Sequence, residues 1–233
     1  MKISVIMPAY NTASTIGTQL EALTQQEWQF DWELIVADNG STDQTLSIIK
    51  SYVNCFPQLW IVYAIERRGA TFARNTAASV AAGDAFIFCD ADDVAAPDWL
   101  RTIATVLEAY DLVIGHMEMS KLNSRSPVPD MVHPEQKEIE HGRAKFEPYL
   151  YYVTGAGFGI RRSYHEIIGG FDENLMASED VDYGFKAQLA GARVFFADQA
   201  VMHYHLRPNL SSSFQQGVFY SKSIVPHFSG VSE

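Results

Sequence analysis

The sequence has few cysteines, and its basic residues are far outnumbered by acidic ones. Cys55 and Cys89 are its two cysteines, and their spacing indicates neither a disulfide framework nor a zinc site, which favours a reducing, cytoplasmic location. Lys and Arg total 17 against 28 Asp and Glu, giving a formal charge of -11. Because a nucleic-acid groove needs clustered basic side chains, this balance argues against DNA or RNA as a partner.

Long apolar runs are also missing. No stretch approaches the roughly 18 apolar residues of a transmembrane helix. The apolar run at residues 3–7 is too short for a signal peptide, so we expect none. We therefore expect a cytoplasmic protein, for which peripheral contact with the inner face of a membrane stays open. Nothing in the sequence indicates an oligomeric state.

What is present is enough apolar material for one sizeable core, at 47% hydrophobic residues in 233. In the first half, short apolar runs alternate with segments of helical periodicity, which is typical of a parallel sheet covered by helices. We predict an α/β fold with a mostly parallel, Rossmann-like central sheet flanked by helices. The predicted strands of this half are residues 3–7, 32–37, 59–65, 85–89 and 112–114.

The second half is less regular. Residues 116–148 are polar and rich in proline, which is typical of a functional loop or of variable decoration. Order returns with a predicted strand at 154–161 and a helix at 179–190. Further predictions are strands at 193–197 and 200–205 and a terminal helix at 211–223. We expect one domain over residues 1–233, with parts at 1–115, 116–148, 149–210 and 211–233.

An acidic cluster directly follows the apolar run at residues 86–89. Asp90, Asp92 and Asp93 place three carboxylates at the end of a predicted buried strand, where they repel one another and resist desolvation. A hard cation such as Mg2+ or Mn2+ would offset this repulsion, and it usually shares its coordination with substrate phosphates. The cluster therefore predicts a metal-bridged phosphate ester or diphosphate. The alternative is an acidic loop that caps the next helix.

Polar residues also follow the first two predicted strands. Ligands of an open parallel sheet bind outside the carboxyl ends of its strands, where Tyr10, Asp38 and the acidic cluster all fall. The carboxylate of Asp38 could accept the imide N–H of uracil or thymine, and Tyr10 could lie against a base. The alternatives are an Asx-type turn at Asp38 and ordinary loop packing of Tyr10.

Six motifs in a fixed order resemble those of the family-2 glycosyltransferases, which are inverting enzymes with the GT-A fold. They are VIMPAYN (5–11), VADNGSTD (36–43), ARN (73–75), DADD (90–93), GGFDE (169–173) and SED (178–180). The resemblance covers residues 1–115 and 150–206 and implies that the smaller second part, of β-strands and loops, lies on the acceptor side. One departure is Asn39, where many relatives have a second aspartate.

The resemblance also implies roles on the donor side of the site. Asp38 would bind the nucleobase in a pocket lined by Pro8, Ala9 and Tyr10. Asp90 would hold the ribose or the sugar, and Asp92 would bind Mn2+ or Mg2+ on the diphosphate. Arg74 would reach the sugar nucleotide, unless it is a solvated helix arginine.

On the acceptor side, the resemblance places the catalytic base on Asp180, with Glu179 orienting the acceptor. Without it, the pair is simply favourable at a helix N-terminus. His203 would complete the metal site, with His205 as its substitute, although a strand histidine is more often a satisfied core residue.

Taken together, the resemblance implies a metal-dependent inverting transferase that moves one sugar from a nucleotide-sugar. The expected donor is a UDP-sugar. The acceptor would be a glycan or a lipid-linked molecule in cell-surface polysaccharide or glycolipid synthesis. Two alternatives stay open. One is a catalytically silent sugar- or nucleotide-binding module of the same fold, and the other is an aspartate-based phosphatase, whose nucleophile motif resembles residues 90–93.

Overall fold

The computed structural model describes residues 1–26, 31–123, 145–146, 150–175 and 177–206. The strands are β1 Ile3–Ala9, β2 Trp32–Asp38, β3 Leu59–Tyr63, β4 Ala85–Phe88, β5 Val94–Ala95, β6 Leu112–Glu118, β7 Lys145–Phe146, β8 Leu150–Tyr151, β9 Phe158–Arg161 and β10 Val194–His203. The helices are α1 Ile16–Thr24, α2 Thr45–Ser51, α3 Ala70–Val80, α4 Trp99–Leu107, α5 Arg162–Ile168 and α6 Glu179–Leu189, with a 3-10 turn at Val53–Cys55.

Eight of these strands form one sheet in the order β3-β2-β1-β4-β9-β6-β10-β5. Strands β3, β2, β1 and β4 are parallel, as are β6 and β10. Strand β9 runs antiparallel between β4 and β6, and β5 runs antiparallel to β10. The predicted α/β class is confirmed, with a sheet that is parallel in its first half and mixed in its second.

The core lies on both faces of this sheet because side chains alternate along each strand. Val5 belongs to the cluster that packs with α1, α2 and α4, whereas its neighbour Ile6 belongs to the cluster with α3 and α6. Both side chains are fully buried. Burying an aliphatic side chain of this size contributes about 1.5–3 kcal/mol, so the two helical layers hold the sheet and fix where its strand ends lie.

Close packing at β9 requires a glycine. A Cβ at Gly159 would lie 2.5 Å from Cγ2 of Ile103 on α4 and 2.9 Å from Cδ1 of Leu107. The absence of a side chain therefore lets α4 lie directly against the sheet, at the antiparallel strand that separates β4 from β6.

Two predictions about elements were wrong in detail. The strands predicted at 193–197 and 200–205 are one strand, β10, whose pairing with β6 shifts register between Ala197 and Val201. Strand β6 continues to Glu118, so the sheet extends into the predicted loop at 116–148. Most of that loop and the predicted helix at 211–223 lie outside the described residues. In the described parts of the chain we find no helix with the length and apolar character needed to span a bilayer.

Candidate active site

The acidic cluster forms at the end of β4 as predicted. One carboxylate oxygen from each of Asp90, Asp92 and Asp93 lies within 4.8 Å of the others. Asp92 is exposed and Asp90 is partly exposed, whereas Asp93 is 1% exposed. Three hard oxygen donors at this separation suit Mg2+ or Mn2+, which would offset their mutual repulsion.

Asp93 was predicted only as a member of the acidic cluster, with no role of its own, yet it gives the strongest sign of a ligand. Its Oδ1 accepts a hydrogen bond from the backbone N–H of His205 at 3.0 Å, and its buried Oδ2 has no hydrogen-bond partner. Burial and the neighbouring charges of Asp90 and Asp92 raise the pKa of Asp93 to about 8. A buried carboxylate oxygen without a partner is costly, so a bound cation would stabilise it. The sequence signal for this residue was its place as the third acid of the motif.

Arg74 joins two parts of the site. It extends from α3, is 3% exposed, and forms ion pairs with Asp90 at 2.7 Å and with Glu179 at 3.1 Å. It also donates to the carbonyl oxygen of Gly155 at 3.3 Å. Burial acts to lower the pKa of Arg74, but the carboxylates of Asp90 and Glu179 outweigh it and raise that pKa. Arg74 is therefore not a solvated helix arginine, and it ties the end of β4 to the start of α6.

The acid pair opens α6 as predicted. The preceding residue, Ser178, has a left-handed backbone (φ 59°), a conformation that non-glycine residues rarely adopt and that often occurs at functional sites. Oδ1 of Asp180 accepts from the backbone N–H of Val181 at 2.8 Å. A Cβ at Gly155 would lie 3.6 Å from Asp180 Oδ2 and 3.1 Å from Arg74 Nη2. Asp180 thus lies beside the arginine that holds Glu179.

The environment of Asp180 alters its acidity. Burial and the adjacent charge of Glu179 raise the pKa of Asp180 to about 6, against the opposing effects of the Val181 N–H and of Arg74. At neutral pH the carboxylate is deprotonated, and its pKa lies close enough to that pH for efficient proton transfer. This is the acidity expected of a general base.

On the predicted nucleobase side, Asp38 forms an Asx-type turn, which was the alternative to its predicted role in nucleobase binding. It is 1% exposed, and its carboxylate accepts the backbone N–H groups of Gly40 and Ser41, both at 3.2 Å. Pro8 and Ala9 are buried in β1, where Ala9 pairs with Asp38. These residues therefore lie together at the ends of β1 and β2.

Tyr10 is the exposed member of this group, at 47% exposure. The guanidinium carbon of Arg68 lies 4.2 Å from the centre of its ring, a cation–π contact. Arg68 also donates to the carbonyl oxygen of Asn39 at 2.7 Å, which fixes it over the ring.

Asn39, the departure noted in the sequence, shapes the turn before α3. Its amide nitrogen donates to the carbonyl oxygens of Ala64 and Arg67, and its oxygen accepts the N–H of Gly69 at 2.9 Å. An ionised carboxylate has no donor and could not bind both carbonyls. The amide therefore holds the loop that leads into the helix of Arg74.

His203 lies outside the carboxylate group found among the described residues. Its Nδ1 lies 2.9 Å from Oε2 of Glu118, and its Nε2 lies 3.0 Å from Nζ of Lys121. Burial acts to raise the pKa of Glu118, but hydrogen bonds from Ser120 and His203 lower it to about 2. His205 approaches the cluster through its backbone N–H to Asp93. A metal-ligand role for His203 stays a prediction.

A mixed sheet flanked by helices, with carboxylates at the end of β4, matches the fold of the GT-A glycosyltransferases. Residues 4–169 match glycosyl transferase family 2, and the chain belongs to this family. The predicted family, fold and enzyme class are thereby confirmed.

Similar proteins and solved structures support the same family. The uncharacterized glycosyltransferase YfnE of Bacillus subtilis is 28% identical, over 96% of this chain and 67% of its own length. Glycosyltransferase AglE of Haloferax volcanii is 29% identical, over 88% and 67%. TarS of Staphylococcus aureus, residues 1–349 in complex with UDP-GlcNAc, has a TM-score of 0.70 at 27% identity, over 90% of this chain and 60% of that one.

A fourth comparison shows the fold alone. The mannosyltransferase PcManGT of Pyrobaculum calidifontis, in complex with GDP-Man and Mn2+, has a TM-score of 0.76 at 24% identity, over 98% of this chain and 63% of that one. The chain thus spans about two thirds of the length of YfnE and AglE and somewhat less of the solved proteins.

Proposed function

We propose that this chain is a metal-dependent inverting glycosyltransferase that moves one sugar from a UDP-sugar to an acceptor hydroxyl. The observation that carries the proposal is the double ion pair of Arg74, which brings the acid at the end of β4 and the acid pair of α6 into one site. UDP-GlcNAc binding by the similar TarS structure supports the choice of donor.

Asp92, together with Asp90 or Asp93, would hold the metal. Their oxygens meet the requirement for a shared cation, and the unpartnered Oδ2 of Asp93 would gain a ligand bond. When bound, Mn2+ or Mg2+ supplies positive charge that neutralises the departing diphosphate. For His203 to join them, one of its ring nitrogens would have to leave its contact with Glu118 or with Lys121, while the other nitrogen could keep its partner.

Asp180 is proposed as the base. Inversion by direct displacement needs one group that takes the proton of the acceptor hydroxyl as its oxygen attacks the anomeric carbon. Asp180 is deprotonated at neutral pH, and its neighbour Glu179 is fixed by Arg74. Glu179 is thus suited to orient the acceptor.

Asp38 is proposed to bind the nucleobase. An ionised carboxylate offers about four lone-pair positions. Two backbone N–H groups occupy part of them, so Asp38 can still accept the imide N–H of a uracil. Tyr10 offers an exposed ring, whereas Pro8 and Ala9 act through the backbone shape of β1.

The acceptor is proposed to be a glycan or a lipid-linked molecule of the cell surface. Support comes from TarS, which is named a poly(ribitol-phosphate) beta-N-acetylglucosaminyltransferase and is 25% identical over 88% of this chain. Residues 116–148 and 149–210 would form the acceptor side. A cytoplasmic location belongs to the same proposal.

Product analysis tests the proposal. A thermal-shift panel of UDP-, dTDP- and GDP-sugars with Mn2+ identifies the donor, and turnover with that donor should release free nucleoside diphosphate. Donor binding without any release would favour a silent binding module. Release of inorganic phosphate from a phosphate ester would favour a phosphatase.

A further inference from the structure

A buried glutamine lies directly behind the acidic cluster. Gln19 is on α1, and its side chain is 0% exposed. Its Oε1 accepts the backbone N–H of Ala95 at 2.9 Å, and its Nε2 donates to the backbone carbonyl of Asp90 at 3.3 Å. One amide thus binds the first and the last residue of the segment 90–95, which carries all three acids of the cluster.

This pairing requires a side chain with both a donor and an acceptor. Carboxylates lack the donor and apolar side chains lack both, so few replacements could hold an N–H and a C=O at once. A buried polar group without partners is costly, which makes the amide and the segment dependent on each other. Ala95 also pairs with Met202 of β10, so the far end of the segment is anchored to the sheet.

We infer that Gln19 is a positioning residue for the metal site, which sets the spacing of the three carboxylates by closing the segment 90–95 from behind. This inference rests on the proposed function in that the carboxylates hold a divalent cation. Gln19 is separated from that cation by the backbone that it binds. Such outer partners typically change metal affinity by about 10–100-fold when removed.

A matched control lies seven residues further along, just beyond the end of α1. Gln26 donates to the carbonyl oxygen of Ala96 at 2.9 Å and accepts the N–H of Leu100 at 2.9 Å. Its amide therefore also binds one backbone carbonyl and one backbone N–H, but in the chain just after the segment 90–95 that carries the three acids. Gln19→Met and Gln26→Met each remove one amide without removing its bulk.

Amide hydrogen exchange tests the positioning without any metal. In Gln19→Met the Ala95 N–H loses its side-chain acceptor, and its exchange should become at least about tenfold faster. In Gln26→Met the faster exchange should occur at Leu100, with Ala95 unchanged. Should Gln19→Met fail to fold, Gln19→Glu retains an acceptor and should keep Ala95 protected. Unchanged exchange at Ala95 in Gln19→Met, or lost protection in Gln19→Glu, would overturn the inference.

Titration with Mn2+ alone, in which the free ion is measured by electron paramagnetic resonance, tests whether Gln19 affects metal affinity. Gln19→Met should bind Mn2+ about 10–100-fold more weakly than wild type, and Gln26→Met within about twofold of it. Equal affinities in Gln19→Met and wild type, or equal losses in both variants, would contradict the inference. If the wild type bound no Mn2+, the proposed function would fail with the metal part of the inference, while the exchange rates would still decide whether Gln19 holds the segment.

Discussion

At the scale of single residues, the raised pKa of Asp180 has a consequence for rate. If Asp180 is the base, kcat/KM should fall about tenfold per pH unit below pH 6, because the protonated acid cannot accept the hydroxyl proton. Asp180→Asn should lower kcat by about 10²–10⁴-fold and leave donor affinity nearly unchanged. Initial rates between pH 4.5 and 8, with calorimetry of donor binding, measure both.

The same carboxylate gives a stability signature of defined sign. Because its folded pKa of about 6 lies above the unfolded value, its charged form destabilises the fold above pH 6, and this cost disappears as the pH falls.

For the effect on turnover, Asp182→Asn is the control, since Asp182 lies in the same helical turn as Asp180 and pairs with Lys186. Comparable loss of turnover in the two variants would count against Asp180 as the base.

Arg74 should matter for stability, because it is the buried partner of two acids. Arg74→Met leaves Asp90 and Glu179 without their shared cation, and we expect a loss of about 3 kcal/mol, the low end for a broken buried pair because both acids keep some solvent. Arg74→Lys should recover only part of it, since a single ammonium cannot replace the two guanidinium nitrogens that bind Asp90 and Glu179 separately. Urea unfolding measures these differences. Arg101→Met, whose pair with Asp98 is exposed, should cost under about 1 kcal/mol, and an equal loss there would contradict the role of Arg74.

The sequence predicted which acidic residues lie near strand ends, but not which side chains or backbone groups they bind. The ion pair of Asp90 with Arg74 is not indicated by any local pattern, because the two residues belong to different elements, and the role of Asp90 at the ribose or the sugar stays a prediction. Oδ1 of Asp93 likewise has its partner in the backbone of His205, 112 residues away, so the sequence does not indicate that Oδ2 alone lacks one.

At the scale of elements, the chain segment before β9 must come close to the site. Gly155→Ala would place a Cβ 3.1 Å from Arg74 Nη2, so the guanidinium must shift by a few tenths of an ångström and move Glu179 with it. We expect turnover to fall by about tenfold or more, since small misplacements are costly in catalysis, with little change in stability.

Gly17→Ala is the control for that substitution. Its Cβ would meet Ile48 Cγ2 at 3.8 Å, an ordinary contact, and alanine within α1 should stabilise by about 0.5–1 kcal/mol. Steady-state kinetics and thermal unfolding of both variants separate the effects. Full activity in Gly155→Ala would show that Arg74 tolerates displacement.

Helices and strands with clear hydrophobic periodicity could be predicted from the sequence, but the order in which the strands pair could not. The apolar runs at β1, β2 and β4 and the helical period of α6 follow from local sequence, and each lies within a few residues of its prediction. Strand β9 was predicted to exist, yet its insertion antiparallel between β4 and β6 depends on contacts with distant strands and on Gly159, which admits α4.

At the scale of the whole molecule, the sheet brings three distant segments to one site. The carboxyl ends of β1, β2 and β4 lie side by side, which the rule for ligands of open sheets predicts. The position of α6 beside them could be predicted only from the resemblance, because it depends on Arg74 and on the second half of the chain. The arrangement would join the proposed donor and acceptor sides.

Stability should therefore respond to metal and pH together. Without metal, the folded pKa of Asp93 of about 8 lies above its unfolded value, so its contribution lowers stability as pH rises from about 4 to 8 and stays constant above that. Metal binding needs the ionised carboxylate, so Mn2+ should bind more tightly as pH rises from 6 to 8. At about 100 times its Kd, Mn2+ would add roughly 2.7 kcal/mol, and Tm should rise by about 5–10 °C.

Thermal unfolding at pH 6, 7 and 8, with Mn2+ and with EDTA, measures this response. Asp93→Asn should raise the stability of the metal-free protein at pH 8, because the cost of a buried charge is gone, and should reduce the gain from Mn2+. Asp98→Asn, an exposed acid five residues further on, should leave both unchanged. A gain from Mn2+ that is equal at pH 6 and 8, or equal in Asp93→Asn and wild type, would exclude Asp93 from the metal site, since only a carboxylate that must lose its proton on binding couples the two.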